Sequence, residues 1–353
     1  MRATLRYFHG SIAVTAVGLG LAAGLGLWLH GSPAGAARTV LVAALLAVLE
    51  VSLSFDNAVV NASVMKEMSL PWRRRFLTWG MAIAVFGMRF VFPLVVVSAV
   101  ARIGPLEALR LAALRPDEYA RVLTSAHVAL GAFGGAFLGM VFLKFFFDAG
   151  KDVHWVRGVE RRLALLGRFE ALELAIVLLA LWGFSRAVPA ARAHELLVAG
   201  VLGLVAFIAV DGVGAVMESG SGDPHRAGLA TFLYLNVLDA SFSFDGVIGA
   251  FALSSNLFVI AIGLGIGAMF VRSLTILLVD RGTLDSYRYL EHGAFWAIGA
   301  LALVMLLGTV HEVPEVVTGL VGAGLIALSV WSSVRERRAG REEGSRAPAA
   351  GRP

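Results

Sequence analysis

The chain lacks cysteine and has few charged residues for its length. With no cysteine among 353 residues, it can form neither disulfides nor thiolate metal sites. Only 16% of its residues are charged, whereas a soluble domain has about 25%. Hydrophobic residues make up 58% of the chain, and the mean hydropathy is +0.79. This composition is typical of an integral membrane protein.

Several function classes have no support in the sequence. No phosphate-binding loop, zinc-protease motif or nucleophile elbow occurs, so we expect neither an enzyme nor a covalently bound cofactor. The balance of 30 basic against 25 acidic residues is not a nucleic-acid-binding signature, and the expected surroundings are a lipid bilayer. Abundant glycine and only three lysines are typical of high-GC bacteria, which predicts a bacterial inner-membrane protein.

Apolar stretches of about 20 residues, long enough to cross a bilayer, recur along the chain. The first follows Arg2 and Arg6 and resembles a signal peptide, but its length favours a retained helix. We predict ten spans, at roughly 11–29, 40–62, 76–100, 125–146, 170–187, 195–217, 228–250, 256–279, 290–309 and 314–334.

Basic loops predict the topology, because Lys and Arg concentrate on the cytoplasmic side. Lys66 and Arg73–Arg75 follow the second span, and further basic residues lie in a linker and in the tail. Both termini are therefore predicted to be cytoplasmic. The predicted parts are 1–147 (spans 1–4), 148–169 (a charged cytoplasmic linker), 170–334 (span 5 and a second repeat) and 335–353 (a disordered basic tail).

One polar motif occurs twice. "VLEVSLSFDN" at 48–57 and "VLDASFSFDG" at 237–246 share six of ten positions, and Glu50 is matched by Asp239. Each copy lies in the second span of a five-span half. Because five is odd, the second half would enter the membrane in the opposite orientation. The sequence thus predicts an all-α, polytopic transmembrane bundle of two inverted five-helix repeats, an architecture typical of transporters.

The motif places carboxylates where a membrane span is expected. A charged side chain at a span centre costs about 2.5–3.5 kcal/mol, so the acids need protonation, an arginine partner or a cation. On a straight helix Glu50 and Asp56 point about 120° apart, and they converge only if the helix unwinds near "SFD". Gly246 favours a similar break in the second copy.

Oxygen ligands without thiolates suit hard cations such as Mn²⁺, Mg²⁺ or Ca²⁺. An arginine follows each motif copy in the next span, and a histidine begins the span after it. The predicted metal ligands are Glu50, Asp56, Asn57, Asp239 and Asp245. The predicted supporting residues are Ser54, Ser243, Arg89, Arg272, His127 and His292.

The motif resembles that of the TerC-like (tellurium-resistance) membrane proteins, and of their DUF475-type branch in particular. The shared feature is a carboxylate six residues before Asp-Asn, here Glu50 and Asp56-Asn57. The resemblance implies a place among lysine-exporter-like transporters, with export of manganese or a related divalent metal as the activity. The second copy departs from the pattern, since Gly246 stands where the first copy has Asn57.

The sequence therefore predicts an exporter of a divalent cation, with manganese as the expected substrate. One alternative is an exporter of a small organic cation or amino acid, which an aromatic cage beside the acids would favour. The other is a non-transporting membrane scaffold in which arginines neutralise all the acids. A homo-oligomer is compatible with each of these interpretations.

Overall fold

The computed structural model describes residues 2–66, 68–80, 82–169, 171–219, 224–311 and 313–346. Every regular element in these ranges is a helix, which confirms the all-α class. Two segments, π1 (Phe76–Gly80) and π2 (Ile83–Val91), have π-helical geometry. The α-helices are α1 (Arg2–His30), α2 (Pro33–Leu53), α3 (Phe55–Met65), α4 (Leu70–Arg75), α5 (Phe92–Ala101), α6 (Pro105–Leu114), α7 (Pro116–Ser125), α8 (His127–Phe147), α9 (Arg157–Leu166), α10 (Leu172–Ala187), α11 (Ala190–Ser219), α12 (Pro224–Leu253), α13 (Leu257–Asp280), α14 (Thr283–Ser286), α15 (Leu290–Gly308) and α16 (Glu315–Arg346).

Seven helices in the described ranges are long and apolar enough to cross a membrane, which makes the protein polytopic. An eighth span arises if the segment Phe86–Ala101 and α6, which meet at 104°, count as one bent span. The remaining two predicted spans correspond to α10, of only 16 residues, and to α12, which bears the second motif. The ten-span count and the inverted repeat remain predictions.

The helices form one continuous bundle around two hydrophobic clusters. In the larger cluster α8 packs against α11 and α15, and in the smaller one α1, α2 and α13 pack against one another. Glycine permits the close contact of α13 with α2, since a Cβ added at Gly267 would lie 2.5 Å from Cβ of Glu50. The first motif is thereby held tightly against a helix of the second half.

The linker and the tail contain more helix than the sequence indicated. Within the linker 148–169, α9 covers Arg157–Leu166. At the C-terminal end, α16 continues to Arg346, although the sequence predicted disorder from 335 onward. At the start of this segment, Arg288 donates from Nη1 to Oε1 of Glu336 at 3.1 Å, which connects α16 to the turn before α15. Residues 347–353 lie outside the described ranges.

Candidate functional site

The first motif copy spans a break between two helices. Helix α2 ends at Leu53, Ser54 has φ −102° and ψ 18°, and α3 begins at Phe55. Asp56 therefore lies in the first turn of α3, where its Oδ1 accepts the Asn57 backbone N–H at 2.9 Å. A helix N-terminus favours a negative charge. The break supplies that environment to Asp56 inside the bundle.

The second copy lies within a continuous helix. Helix α12 runs from Pro224 to Leu253, so the local unwinding that Gly246 suggested is not found. Packing gives the physical reason: Gly246 faces α2, and a Cβ placed there would lie 3.7 Å from Oε2 of Glu50. The glycine leaves space beside a carboxylate without interrupting the helix. The side chain of Asp245 lies outside the described residues.

Glu50 is neutralised by an arginine. Arg89 donates from Nη2 to Oε1 of Glu50, and both side chains are buried. Ser54 Oγ also donates to Oε1 at 2.8 Å. Arg89 belongs to π2, and π-helical turns frequently occur at functional sites because they redirect side chains. In this conformation the first predicted ligand is therefore an ion-pair partner.

Asp56 has no such partner. It is 6% exposed, and no Lys, Arg or His of the described chain forms an ion pair with it. It lines a cavity of about 20 Å³ between α2, α3, α12, α15 and α16. About 10–15 Å³ suffices for one water, so the cavity is large enough for one water or one bare ion. Glu50, Ser54 and Ser243 line the same cavity, which brings both motif copies together.

Asp239 lies at the contact between α3 and α12. It is 4% exposed, and its Oδ1 accepts a hydrogen bond of 2.7 Å from Nδ2 of Asn61. Asn57, Arg89 and Glu50 also interact with it electrostatically or by hydrogen bonding. Arg89, the ion-pair partner of Glu50, therefore also acts electrostatically on Asp239.

Three buried amide oxygens near these acids have no hydrogen-bond partner in the described part of the chain. They are the Oδ1 atoms of Asn57, Asn61 and Asn236. A buried acceptor left unsatisfied costs about 1–3 kcal/mol, and a cation would satisfy it. Asn57 was a predicted ligand, whereas Asn61 and Asn236 were not. Their helical spacing from Glu50 and Asp239 is the sequence signal that could have identified them.

The other predicted supporting residues lie outside this cluster. Arg272 donates from Nε to the Leu77 carbonyl at 2.8 Å, not to a carboxylate. His127 Nδ1 lies 3.0 Å from the Thr124 carbonyl, at the start of α8. His292 lies 3.0 Å from Glu160 of the linker. Neither histidine has a described contact with the acids of the motifs.

Glu160 forms a second polar centre that sequence reasoning missed. Its oxygens accept the backbone N–H groups of Trp155 and Val156 at 2.7 and 3.1 Å, and Nε1 of Trp296 at 2.9 Å. Burial acts to raise the pKa of Glu160, but contacts with His292, Trp296 and Val156 outweigh it and lower the pKa to about 2. The contacts of Glu160 with Trp296 and His292 hold α9 against α15. In the sequence Glu160 is one charge among many in a linker, and nothing marks it as buried.

The ligand set is sparse for a metal site. No group of three His, Cys, Asp or Glu side chains lies close enough to hold a metal ion within the described ranges. Any cation held here would need amide and hydroxyl oxygens beside one or two carboxylates. Around the cavity that Asp56 lines, the two motif copies supply the hydroxyl groups of Ser52, Ser54 and Ser243 and the carboxylate of Glu50, whereas the unsatisfied amide oxygens are not among its lining groups.

An all-α, polytopic membrane bundle with acids buried at a helix break defines the structural class. Within that class, the family model described as "Protein of unknown function (DUF475)" matches residues 55–340. The chain belongs to the DUF475 family, as the motif resemblance predicted. The match includes Asp56, Asn57 and Asp239. No curated protein and no solved structure matches the chain.

Proposed function

We propose that this protein is a transporter that exports a divalent metal cation, with manganese as its substrate, from the bacterial cytoplasm. The observation that carries the proposal is Asp56, a buried carboxylate without a cationic partner that lines a cavity between both motif copies. An ionised carboxylate in such surroundings needs a compensating charge. A transported cation supplies that charge, and a proton supplies it when the cation has left.

The donor atoms support a hard cation. Asp56 lies on α3, which also bears Asn57 and Asn61 with their unsatisfied amide oxygens, and Asp239 of α12 accepts a hydrogen bond from Asn61. Oxygen donors suit Mn²⁺, Mg²⁺ and Ca²⁺. The resemblance of the motif to TerC-like proteins favours manganese among these three. Proton exchange on the same carboxylates is the proposed energy source, since the sequence has no ATP-binding motif.

The arginines support a division of roles between the acids. Arg89 neutralises Glu50 and interacts electrostatically with Asp239. Displacement of Arg89 by an incoming cation would free Glu50 to act as a ligand. We therefore assign Asp56 and Asp239 as ligands that receive the cation first, and Glu50 as one that exchanges Arg89 for it.

The two rival functions are less well supported. A cavity of about 20 Å³ is far below the roughly 300–1,000 Å³ of small-molecule pockets, so an amino acid does not fit this conformation. A scaffold with fully neutralised acids requires arginine partners for each carboxylate. Among the described residues, Arg89 pairs with Glu50, whereas Arg272 bonds to a carbonyl.

Transport by the full-length protein in sealed proteoliposomes tests the proposal. Mn²⁺, Mg²⁺ and Ca²⁺ fluxes would be compared for wild type, Asp56→Asn and Asp239→Asn, each of which retains size and deletes charge. Asp148→Asn is a matched control, because Asp148 is exposed at the end of α8. We expect Mn²⁺ flux in wild type and control, and at least a tenfold loss in both site variants. Flux of none of the three ions in wild type, or unchanged flux in Asp56→Asn, would contradict the proposal.

A further inference from the structure

A large groove opens on the outside of the bundle, away from the acidic cavity. It lies between α1, π2 and α13 and has a volume of about 840 Å³. The wall is almost entirely apolar, and exposed side chains such as Val17 and Phe86 flank it. In a bilayer an open apolar groove of this size faces acyl chains, so hydrocarbon can enter it from the side.

One end of the groove carries a positive charge. Arg272 lines it, half-buried, with only its Nε committed to the Leu77 carbonyl. No carboxylate of the described chain forms an ion pair with Arg272. A guanidinium has five N–H donors, so the remaining donors of Arg272 can bind an anionic oxygen. The groove therefore has an apolar length and a cationic end.

More basic residues lie beyond that end. Leu77, which accepts the Arg272 bond, lies two residues after Arg75 in the chain, and Arg74 is exposed. On α1, Ser11 donates to the Met269 carbonyl at 2.6 Å, which places the N-terminal end of α1 beside the same part of α13. Arg272 lies eight residues before Asp280, about 12 Å from the helix end at 1.5 Å per residue. A long arginine side chain extends its guanidinium from such a position toward the headgroup region.

We propose that this groove binds an anionic glycerophospholipid of the surrounding bilayer. Its acyl chains lie along α1 and α13, and its phosphate pairs with the guanidinium of Arg272. The charge complementarity selects an anionic lipid, since basic pockets between membrane helices recognise anionic headgroups. The lipid also provides the counter-charge that no described carboxylate supplies. This site is separate from the cation site, because Arg272 has no described contact with the motif acids.

Lipid retention by the purified full-length protein tests the proposal. The protein would be exchanged into mixtures of phosphatidylglycerol and phosphatidylcholine with identical acyl chains, and bound lipid would be counted by native mass spectrometry. We expect about one retained phosphatidylglycerol per chain in wild type. Arg272→Gln should reduce the preference for phosphatidylglycerol at least fivefold. Arg186→Gln is the matched control, since Arg186 is an exposed arginine in the last turn of α10.

A second variant tests the apolar part of the groove independently. Ala261 lines the wall, and Ala261→Trp should displace the acyl chains and abolish retention of both lipids while Arg272 stays intact. Equal retention of the two lipids by wild type would overturn the proposal. So would an unchanged preference in Arg272→Gln, full retention in Ala261→Trp, or a dimer that covers this face regardless of lipid.

Discussion

The two copies of the motif share six of ten residues, yet they have different backbones. The first copy breaks between α2 and α3 and places Asp56 at a helix N-terminus, whereas the second stays helical throughout α12. The break redirects Asp56 toward the cavity that Ser243 and Gly246 line from the opposite side. The first copy thus places the Asp56 carboxylate beside a helix break. In the second copy, Ser243 and Gly246 of the continuous helix α12 line the other side of the cavity.

The arginines that follow the two copies also have different surroundings. Arg89 is buried against Glu50, whereas Arg272 lies half-buried at the edge of an apolar groove. The arginine that follows the first motif copy therefore serves the acidic site, whereas the arginine that follows the second copy faces the outside of the bundle. The two motif copies therefore do not have equivalent surroundings, and the predictions below test the contacts that each copy makes.

The largest loss of stability is expected when the arginines are replaced. Arg89→Gln leaves Glu50 buried without its partner, and breaking a buried pair costs about 3–5 kcal/mol. Arg272→Gln should cost clearly less, because glutamine can still donate to the Leu77 carbonyl. Melting temperatures of the two variants in the same detergent measure the difference. The double variant Glu50→Gln with Arg89→Gln should be more stable than Arg89→Gln alone. Equal losses of stability in Arg89→Gln and Arg272→Gln would contradict the difference between the two arginines.

The second prediction concerns the pH dependence of stability at Glu160, which contacts His292. His127 and His292 are the histidines that begin a span after each motif copy. His127 contacts a backbone carbonyl, whereas His292 is buried against Glu160. Since the folded-state pKa of Glu160 is about 2, below its ordinary 4.5, the unfolded chain binds the proton more readily. The stabilisation is therefore complete above pH 4.5 and is lost as the pH falls toward 2.

Glu160→Gln tests this assignment. It should lower stability at pH 7 by about 1.5–3 kcal/mol, the range for hydrogen bonds to charged groups, and the deficit should shrink below pH 4.5. His127→Ala is the counterpart in the first half and should leave the profile unchanged. A deficit that stays constant from pH 7 to pH 3 would show that the charge of Glu160 is not the stabilising element.

The third effect contrasts two glycines that face Glu50. A Cβ at Gly267 would lie 2.5 Å from Cβ of Glu50 and 2.7 Å from the Ala47 carbonyl oxygen, so Gly267→Ala should cost about 1–3 kcal/mol as overpacking does. A Cβ at Gly246 would lie 3.7 Å from Oε2 of Glu50, an ordinary contact. Gly246→Ala should therefore stay within about 0.5 kcal/mol of wild type. Urea or thermal unfolding would separate the two, and the reverse order would contradict the packing of α13 against α2.

Much of the fold could be predicted from the sequence. Long apolar runs predicted the all-α polytopic class, and the motif predicted the family. The number of spans was harder, because α10 has 16 residues and α12 bears the polar motif. Length and hydropathy alone do not decide whether such helices cross a bilayer.

The candidate site could be predicted in part. The repeated carboxylates pointed to Glu50, Asp56 and Asp239, and the structure places residues of both copies around one cavity. The partners of the two arginines could not be predicted, since that choice depends on how π2 and α13 pack against other helices. Glu160 was missed for a similar reason: a linker charge becomes a buried centre only when α9 meets α15.

The central claim is that Asp56 is present to bind a cation and not to hold the fold together. The most direct measurement is the melting temperature of Asp56→Asn, purified in detergent, first without metal and then with Mn²⁺. Removing an unpaired buried charge should leave the metal-free protein as stable as wild type or more stable, and should abolish the stabilisation that Mn²⁺ gives to wild type. A variant that is destabilised without metal, yet retains the full Mn²⁺-induced increase, would contradict the account and assign Asp56 a structural role.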